Sequence, residues 1–139
     1  MVHQIIYTSA ALPSATQDEF RSIARQSSIN NKTLDVTGIM LYFQGNIMQV
    51  LEGDKDTVVT LFERIKSDKR HTSITKLLSR DANSREFSDW SMGFSDAGSE
   101  NSIELSFLLN KANLKHALPE APSPELDILT KTYARISGL

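Results

Sequence analysis

The sequence contains no cysteine among its 139 residues. This absence excludes disulfides, thiolate zinc sites, iron–sulfur clusters, cysteine nucleophiles and cofactors attached covalently through a thiol. No apolar run approaches the roughly 20 residues that a membrane helix needs. The N-terminus also lacks a basic segment followed by an apolar block, so we expect no signal peptide and a cytoplasmic protein.

Neither sign of charge dominates, because 15 Lys and Arg residues offset 17 Asp and Glu residues to a net charge of −2. Binding to nucleic acid or to an anionic membrane depends on clustered positive charge, so we expect neither as a partner. The common motifs of nucleotide-binding and hydrolytic enzymes are lacking, and the three histidines do not show metal-ligand spacing. We therefore expect no metal site and no enzyme.

Short β-branched and aromatic segments alternate with two amphipathic helical segments. The helices are expected after Pro13-Ser14 and after Gly53-Asp54. The order β-α-β-β-α-β followed by one more strand predicts an α+β, ferredoxin-like sandwich with a fifth strand. This topology places both helices on one face of the sheet and makes the first and third strands neighbours. The predicted strands are His3–Ser9, Thr37–Phe43, Ile47–Leu51, Ile74–Leu78 and Trp90–Phe94.

Composition divides the chain into a compact domain at residues 1–96 and a helical appendage at residues 97–139. We expect two helices in the appendage, joined by a proline-rich link at residues 118–124. In the last helix Ser123 is expected to cap and Pro124 to take the first helical position. Its apolar stripe, which must be buried, consists of Leu126, Leu129, Tyr133 and Ile136. The appendage is expected to cover the second face of the sheet.

Two polar residues interrupt the apolar faces of the predicted strands. Gln49 shares a strand face with Ile47 and Leu51, where a buried amide needs hydrogen-bond partners. Tyr7 shares a face with Ile5. Because the first and third strands are neighbours, the phenol of Tyr7 and the amide of Gln49 can meet. The alternatives are a Gln49 amide bonded to backbone or water, and a Tyr7 that simply packs in the core.

Two further groups allow a structural and a functional interpretation. Asn31 ends the apolar stripe of the first helix, with Asn30 beside it, so these amides either terminate the helix or face a ligand between the helices. A cluster of basic residues near the end of the second helix either complements the helix dipole or contacts the phosphates of a cofactor. This cluster comprises Arg64, Lys69, Arg70 and His71.

The chain resembles the BLUF domain, a blue-light sensor that uses FAD. The resemblance covers roughly residues 3–96 and rests on six segments that follow one another in the family's order and spacing. These segments are Ile6-Tyr7-Thr8-Ser9; Ser27-Ser28-Ile29-Asn30-Asn31; Leu34-Asp35-Val36-Thr37-Gly38; Met48-Gln49-Val50-Leu51-Glu52-Gly53; Arg64-Ile65 with Asp68-Lys69-Arg70-His71; and Phe87-Ser88-Asp89-Trp90-Ser91-Met92. The family's fold is the ferredoxin-like sheet that the periodicity also predicts.

The resemblance implies a photoreceptor that holds FAD without a covalent bond, with FMN or riboflavin as alternatives. It implies that Tyr7 donates an electron and a proton, and that Gln49 relays the proton and is left rearranged. The flavin absorption then shifts reversibly to the red, with no turnover. Trp90 and Met92 would pass the change to the C-terminal helices, and from there to a partner protein or to self-association. The residues implied around the flavin are Ile23, Ser27, Asn30, Asn31, Gln49, Arg64, Ile65, Asp68, Lys69, Arg70 and His71.

Three other classes share this fold. An acylphosphatase-like enzyme needs a phosphate-binding loop after the first strand, whereas Ala10-Ala11-Leu12-Pro13 has neither Gly nor Arg. A nucleic-acid-binding module needs exposed aromatic residues interleaved with basic ones on the sheet. A colourless ligand-binding or scaffold domain differs from a photoreceptor in the colour of the purified protein.

Overall fold

A computed structural model describes residues 1–14, 17–43, 45–87 and 119–137. The predicted fifth strand, the first of the two predicted C-terminal helices, and the side chains of Trp90 and Met92 lie outside these residues. The order of the described elements is β-α-β-β-α-β followed by one helix. Within the described part, no helix is both long enough and apolar enough to cross a bilayer.

The described residues form a sheet of four strands, namely β1 (Val2–Ala11), β2 (Thr37–Phe43), β3 (Asn46–Gly53) and β4 (His71–Ala82). They lie in the order β2-β3-β1-β4, and each neighbouring pair is antiparallel. The predicted α+β class and the adjacency of the first and third strands are thus confirmed. The tight pairing of β2 with β3 requires Gly38, since a Cβ atom there would lie 1.8 Å from the carbonyl oxygen of Val50.

The fourth strand is much longer than the predicted Ile74–Leu78, because it pairs with β1 from one end of that strand to the other. Its flanking residues are polar and carry little strand signal of their own. Two register shifts interrupt the pairing, between Ile6 and Tyr7 and between Thr8 and Ala10. Pairing with a complete neighbouring strand therefore decides the length of β4.

In the part of the chain that the structure describes, three helices cover the two faces of the sheet: α1 (Gln17–Leu34), α2 (Lys55–Lys66) and α3 (Pro124–Ser137). On the first face, α2 contributes Val58 and Phe62 to a core that includes Tyr7. On the second face, α3 contributes Leu126 and Tyr133 to a separate core. The last helix thus covers the second face of the sheet, as the sequence predicts.

The start of α3 is as predicted, whereas the sheet does not cover the end of its apolar stripe. The backbone N–H of Leu126 donates to the hydroxyl oxygen of Ser123 at 3.2 Å, which is an N-cap bond. Ile136, however, is 73% exposed, so the sheet does not bury this last residue of the stripe within the chain. The hydroxyl of Tyr133 donates to the carbonyl of Asn46, the first residue of β3, at 2.8 Å. One further helical turn therefore carries Ile136 past that end of the strand.

Candidate functional site

A cavity of about 520 Å³ opens on the first face of the sheet, between α1 and α2. Its volume lies in the range typical of sites for small molecules and cofactors. Both helices contribute side chains because the topology places them on the same face. The lining residues are Tyr7, Ser22, Ile23, Gln26, Asn30, Met40, Ile47, Gln49, Leu61, Arg64, Ile65, Asp68, Arg70 and His71.

Tyr7 and Gln49 form the buried polar contact of this cavity. They are direct partners across the β1–β3 pair, and each is only 1% exposed. The Tyr7 hydroxyl donates a hydrogen bond to Oε1 of Gln49. The predicted meeting of phenol and amide is thus confirmed.

Burial, with the nearby carboxylate of Asp68, raises the pKa of Tyr7 far above its ordinary value. The phenol therefore stays protonated, which a hydrogen-bond donor to the Gln49 carbonyl must be. The ring is held in place by Phe62 and His71, whose ring centroids lie 5.4 and 6.4 Å away. Packing and pairing together fix the direction in which the hydroxyl points.

Asn31 is the strongest indication that the site is built for a ligand. Its side chain is 2% exposed, and among the described residues its Nδ2 is the one buried side-chain polar atom without a hydrogen-bond partner. A buried donor left unpaired costs about 1–3 kcal/mol. The backbone carbonyl of Asn31 accepts the N–H of Val36 at 2.8 Å, a bond that closes the C-terminus of α1. The helix itself ends three residues later, at Leu34, and the left-handed residue that follows it is Asp35, so Asn31 does not terminate the helix as the structural interpretation predicts. That bond leaves the side-chain amide unexplained.

Asn31 does not itself line the cavity, whereas its exposed neighbour Asn30 does. The amide of Gln26 donates to Oδ1 of Asn30 at 3.2 Å across one turn of α1. The amide side chains of Gln26 and Asn30 therefore border the cavity on the α1 side. The unpaired amide belongs to Asn31, the next residue along the helix. Carbonyl and ring-nitrogen groups of a ligand are what such amides recognise.

The residues after α2 form a fixed, charged border of the cavity. Arg70 binds the carboxylate of Asp68 in a bidentate manner, with Nε–Oδ1 at 2.9 Å and Nη2–Oδ2 at 2.5 Å. These hydrogen bonds lower the pKa of Asp68, so the carboxylate stays ionised beside the arginine. Two cations, Arg64 and Arg70, line the cavity here. Asp68 and Glu19 both offset the charge of Arg70, so most of the positive charge that this border offers a ligand comes from Arg64.

His71 is held from both sides. Its Nε2 lies 2.8 Å from the carbonyl oxygen of Ile65, and its Nδ1 lies 2.8 Å from the hydroxyl of Ser9. Because a carbonyl can only accept, the neutral imidazole carries its proton on Nε2, and Ser9 then donates to Nδ1. The ring therefore closes the cavity in a single orientation, edge-on to Tyr7.

Most of the residues predicted for the site come together at this cavity. Lys69 is exposed and is not among the lining residues, and Ser27 lies on α1 with a side chain outside the described set. Trp90 and Met92 also lie outside the described residues. The lining residues that the sequence analysis missed are Ser22, Gln26, Met40, Ile47 and Leu61.

Some of these missed residues carried a usable signal. Ile47 shares a strand face with Gln49, and Met40 is the partner of Gln49 across the β2–β3 pair. Leu61 belongs to the apolar stripe of α2. The exposed side chains of Ser22 and Gln26 carry no signal of their own, because polar residues on a helix are ordinary at the surface.

The fold and the site define a ligand-binding domain on a ferredoxin-like sheet, with a buried phenol–amide pair facing the ligand cavity. The family model described as BLUF, sensors of blue-light using FAD, matches residues 2–93. The chain therefore belongs to the BLUF family, whose domains are flavin-binding sensory modules. Family membership favours the sensor class over the phosphatase and nucleic-acid-binding alternatives.

Individual relatives agree with this assignment. The photoactivated adenylate cyclase subunit beta of Euglena gracilis is 37% identical over 71 residues, which is 51% of this chain and 8% of that protein. Among solved structures, the ground state of BlsA has a TM-score of 0.66 at 26% identity and covers 88% of this chain and 91% of its own. The dark state of the BLUF protein BlrB has a TM-score of 0.67 at 24% identity, and the match covers 99% of this chain and 96% of BlrB. This likeness supports the fold.

The chain spans only 8% of the length of the first curated relatives. The similarity to those cyclases is thus confined to a small part of each of them.

Proposed function

We propose that this chain is a blue-light photoreceptor that binds FAD non-covalently in the cavity between α1 and α2. The observation that carries the proposal is the buried hydrogen bond from Tyr7 to Gln49 at the wall of that cavity. In a core that serves only stability, two aliphatic side chains would stabilise the fold without the free-energy cost of removing polar groups from water. A pair of this kind in a ligand cavity is therefore best explained by a role toward the ligand.

The unpaired Asn31 amide, the apolar side chains and the charged border match the parts of a flavin. In the proposed arrangement Ile23 and Ile65 flank the ring system from the two helices. The amides of Asn30 and Asn31 donate to its polar edge. The residues proposed for the ribityl and phosphate end are Ser27, Arg64, Asp68, Lys69, Arg70 and His71. FMN or riboflavin would satisfy the ring contacts equally, since only the phosphate end differs.

A bound flavin would supply blue-light absorption and, once excited, an acceptor for one electron. Tyr7 is the proposed donor, and its raised pKa keeps the proton on the phenol until the electron leaves. Gln49 Oε1 already accepts that hydroxyl, so it is the first group that the proton can reach. Return of the electron and the proton to Tyr7 would restore the flavin and the phenol to their original redox and protonation states. The amide of Gln49 would be left rotated or tautomerised, and its changed hydrogen bonds would shift the flavin absorption to the red.

The proposed output is a signal and not a chemical product. Residues 1–96 would form the sensor, and residues 97–139 the helical appendage that receives the signal through Trp90 and Met92. Ile128 and Ile136 of α3 are 63% and 73% exposed, which supports contact with a partner protein or with a second copy. We do not propose for this chain the cyclase activity of the larger relatives. The proposed location of the protein is the cytoplasm.

Replacing Gln49 by Leu tests the proposal. The substitution keeps an apolar side chain of similar volume but removes the amide, so FAD should still bind at about one per chain. The reversible red shift should be lost. The measurement is a light-minus-dark absorption spectrum, with flavin content determined after release by heat. A normal red shift in Gln49→Leu would contradict the role of the amide, and a folded wild-type protein that takes up no flavin would overturn the whole proposal.

A further inference from the structure

A second polar pair lies on the same two strands as Tyr7 and Gln49, but on the opposite face of the sheet. Gln4 and Glu52 are direct partners across the β1–β3 pair, and both are 0% exposed. Nε2 of Gln4 donates to Oε2 of Glu52 at 3.0 Å. Neither residue lines the flavin cavity, so the proposed photochemistry leaves this pair without a role.

Glu52 holds the chain segment that follows β4. The backbone N–H of Glu86 donates to its Oε2 at 2.7 Å, and that of Phe87 donates to its Oε1 at 2.8 Å. Each oxygen of the carboxylate thus accepts one backbone N–H. A side-chain amide could not replace it, because an amide has only one acceptor oxygen. Hydrogen bonds to a buried charged acceptor are among the stronger ones in proteins.

Glu86 extends the contact to the beginning of α3. Its Oε2 accepts the amide of Gln4 at 2.9 Å, and its Oε1 accepts the backbone N–H of Ser123 at 2.5 Å. Ser123 is the N-cap residue of α3. The helix is therefore attached at its first turn to a carboxylate that shares a donor with Glu52.

Arg80 completes the connection. Its guanidinium donates to Oε1 of Gln4 at 3.0 Å and to the hydroxyl oxygen of Ser123 at 2.9 Å, and it pairs with Glu125 at 2.8 Å. We call Gln4, Glu52, Arg80 and Glu86 the Glu52 network. These four residues join β1, β3, β4 and the segment after β4 to the N-terminus of α3.

The geometry points to the Glu52 network as a coupling element, through which the strand pair that carries Tyr7 and Gln49 controls the docking of the N-terminus of α3. This inference rests on the proposed function. Glu52 lies three residues beyond Gln49 on one continuous strand, so a shift of β3 at Gln49 displaces the acceptor of two backbone bonds. Buried networks of this kind have few intermediate states, because a half-satisfied buried charge is costly.

Coupling between two sites is reciprocal. If the state of Gln49 changes the docking of α3 through the network, then breaking the network must also change the stability of the light state. The dark-recovery rate after illumination reports this second effect. A network that merely stabilises the fold would leave that rate and the light dependence of α3 unchanged.

The test uses the full chain loaded with FAD and amide hydrogen exchange over residues 125–131, the first turns of α3 after Pro124. In Glu52→Gln the new amide has one acceptor for two backbone N–H groups. We expect exchange in α3 to rise by about tenfold or more, the factor that one charge-assisted hydrogen bond is worth. Arg80→Lys is the second variant, because Arg80 is partly exposed and the substitution keeps its positive charge, so it disturbs the interior less than a change at Glu52. Glu63→Gln is the control, because this carboxylate is exposed on α2 and pairs only weakly with Lys66.

Illumination separates the inference from the proposed function. In the wild type and in Glu63→Gln, the red shift should be accompanied by a change in α3 exchange. Glu52→Gln and Arg80→Lys should keep the red shift, lose that accompanying change, and recover in the dark at an altered rate. If α3 exchanged at the wild-type rate in both network variants, or if both retained the light-dependent change in that rate, the coupling would be refuted. The proposed function would still stand. Failure of the wild type to show any red shift would overturn the proposed function and the coupling with it.

Discussion

Replacing Tyr7 by Phe removes one oxygen atom from the site and leaves the ring. The Phe ring keeps the contacts that Tyr7 makes with Phe62 and His71. The loss is one buried hydrogen bond, and removing one partner of a buried pair costs about 1–3 kcal/mol. A loss of about 2 kcal/mol lowers Tm by several degrees in a chain of this size. Fold and flavin binding should therefore survive the substitution.

The photocycle should not survive it, because Phe is a much poorer electron donor than Tyr and has no phenolic proton. The assay is a light-minus-dark absorption spectrum combined with flavin fluorescence. We expect the red shift to disappear and the fluorescence to rise, since the excited flavin loses its main quencher. A long-lived red-shifted state in normal yield in Tyr7→Phe would refute the assignment of Tyr7 as donor, although the family assignment would stand.

Two further predictions concern the site without light. Asn31→Leu removes the unpaired buried amide, so the flavin-free protein should lose little stability or gain some. The Kd for FAD should nevertheless rise about tenfold, and titration calorimetry that shows unchanged affinity would contradict this role of the amide. The raised pKa of Tyr7 has a definite sign: its stability contribution is complete below the unfolded pKa of about 10 and is lost as pH rises above it. Above that pH the free energy of unfolding of the wild type should fall by up to about 1.4 kcal/mol per pH unit relative to Tyr7→Phe, which denaturant titrations at several pH values would measure.

The arrangement of strands was predictable because it depends on local signals. Short runs of apolar and aromatic residues mark Thr37–Phe43 and the strand after Gly45, and a hairpin link of this length leaves little choice of pairing. The split β-α-β-β-α-β order then makes β1 and β3 neighbours, which is why the contact between Tyr7 and Gln49 followed from the sequence. No such local signal marks the polar ends of β4, whose length comes from pairing with β1.

The Glu52 network could not be predicted from the sequence for the same reason. Glu52 stands in an apolar strand, where a carboxylate at the end of a strand is ordinarily solvated. Its partners come from residues 4, 86 and 87, and the extension to α3 comes from residue 123. Long-range contacts of this kind become visible only when the strands and α3 are placed together. The exposed Ile136 illustrates the converse, because periodicity marks a stripe but not where the sheet beneath it ends.

The central claim is that light changes the hydrogen bonding between Tyr7, Gln49 and a bound flavin without consuming anything. The most direct measurement is the absorption spectrum of the purified, FAD-loaded chain in the dark, after blue light, and again after a dark interval. The account predicts a yellow protein whose flavin band shifts slightly to the red under blue light and returns fully in the dark. A flavin-loaded protein whose spectrum does not change with light, or that bleaches without returning, would contradict it.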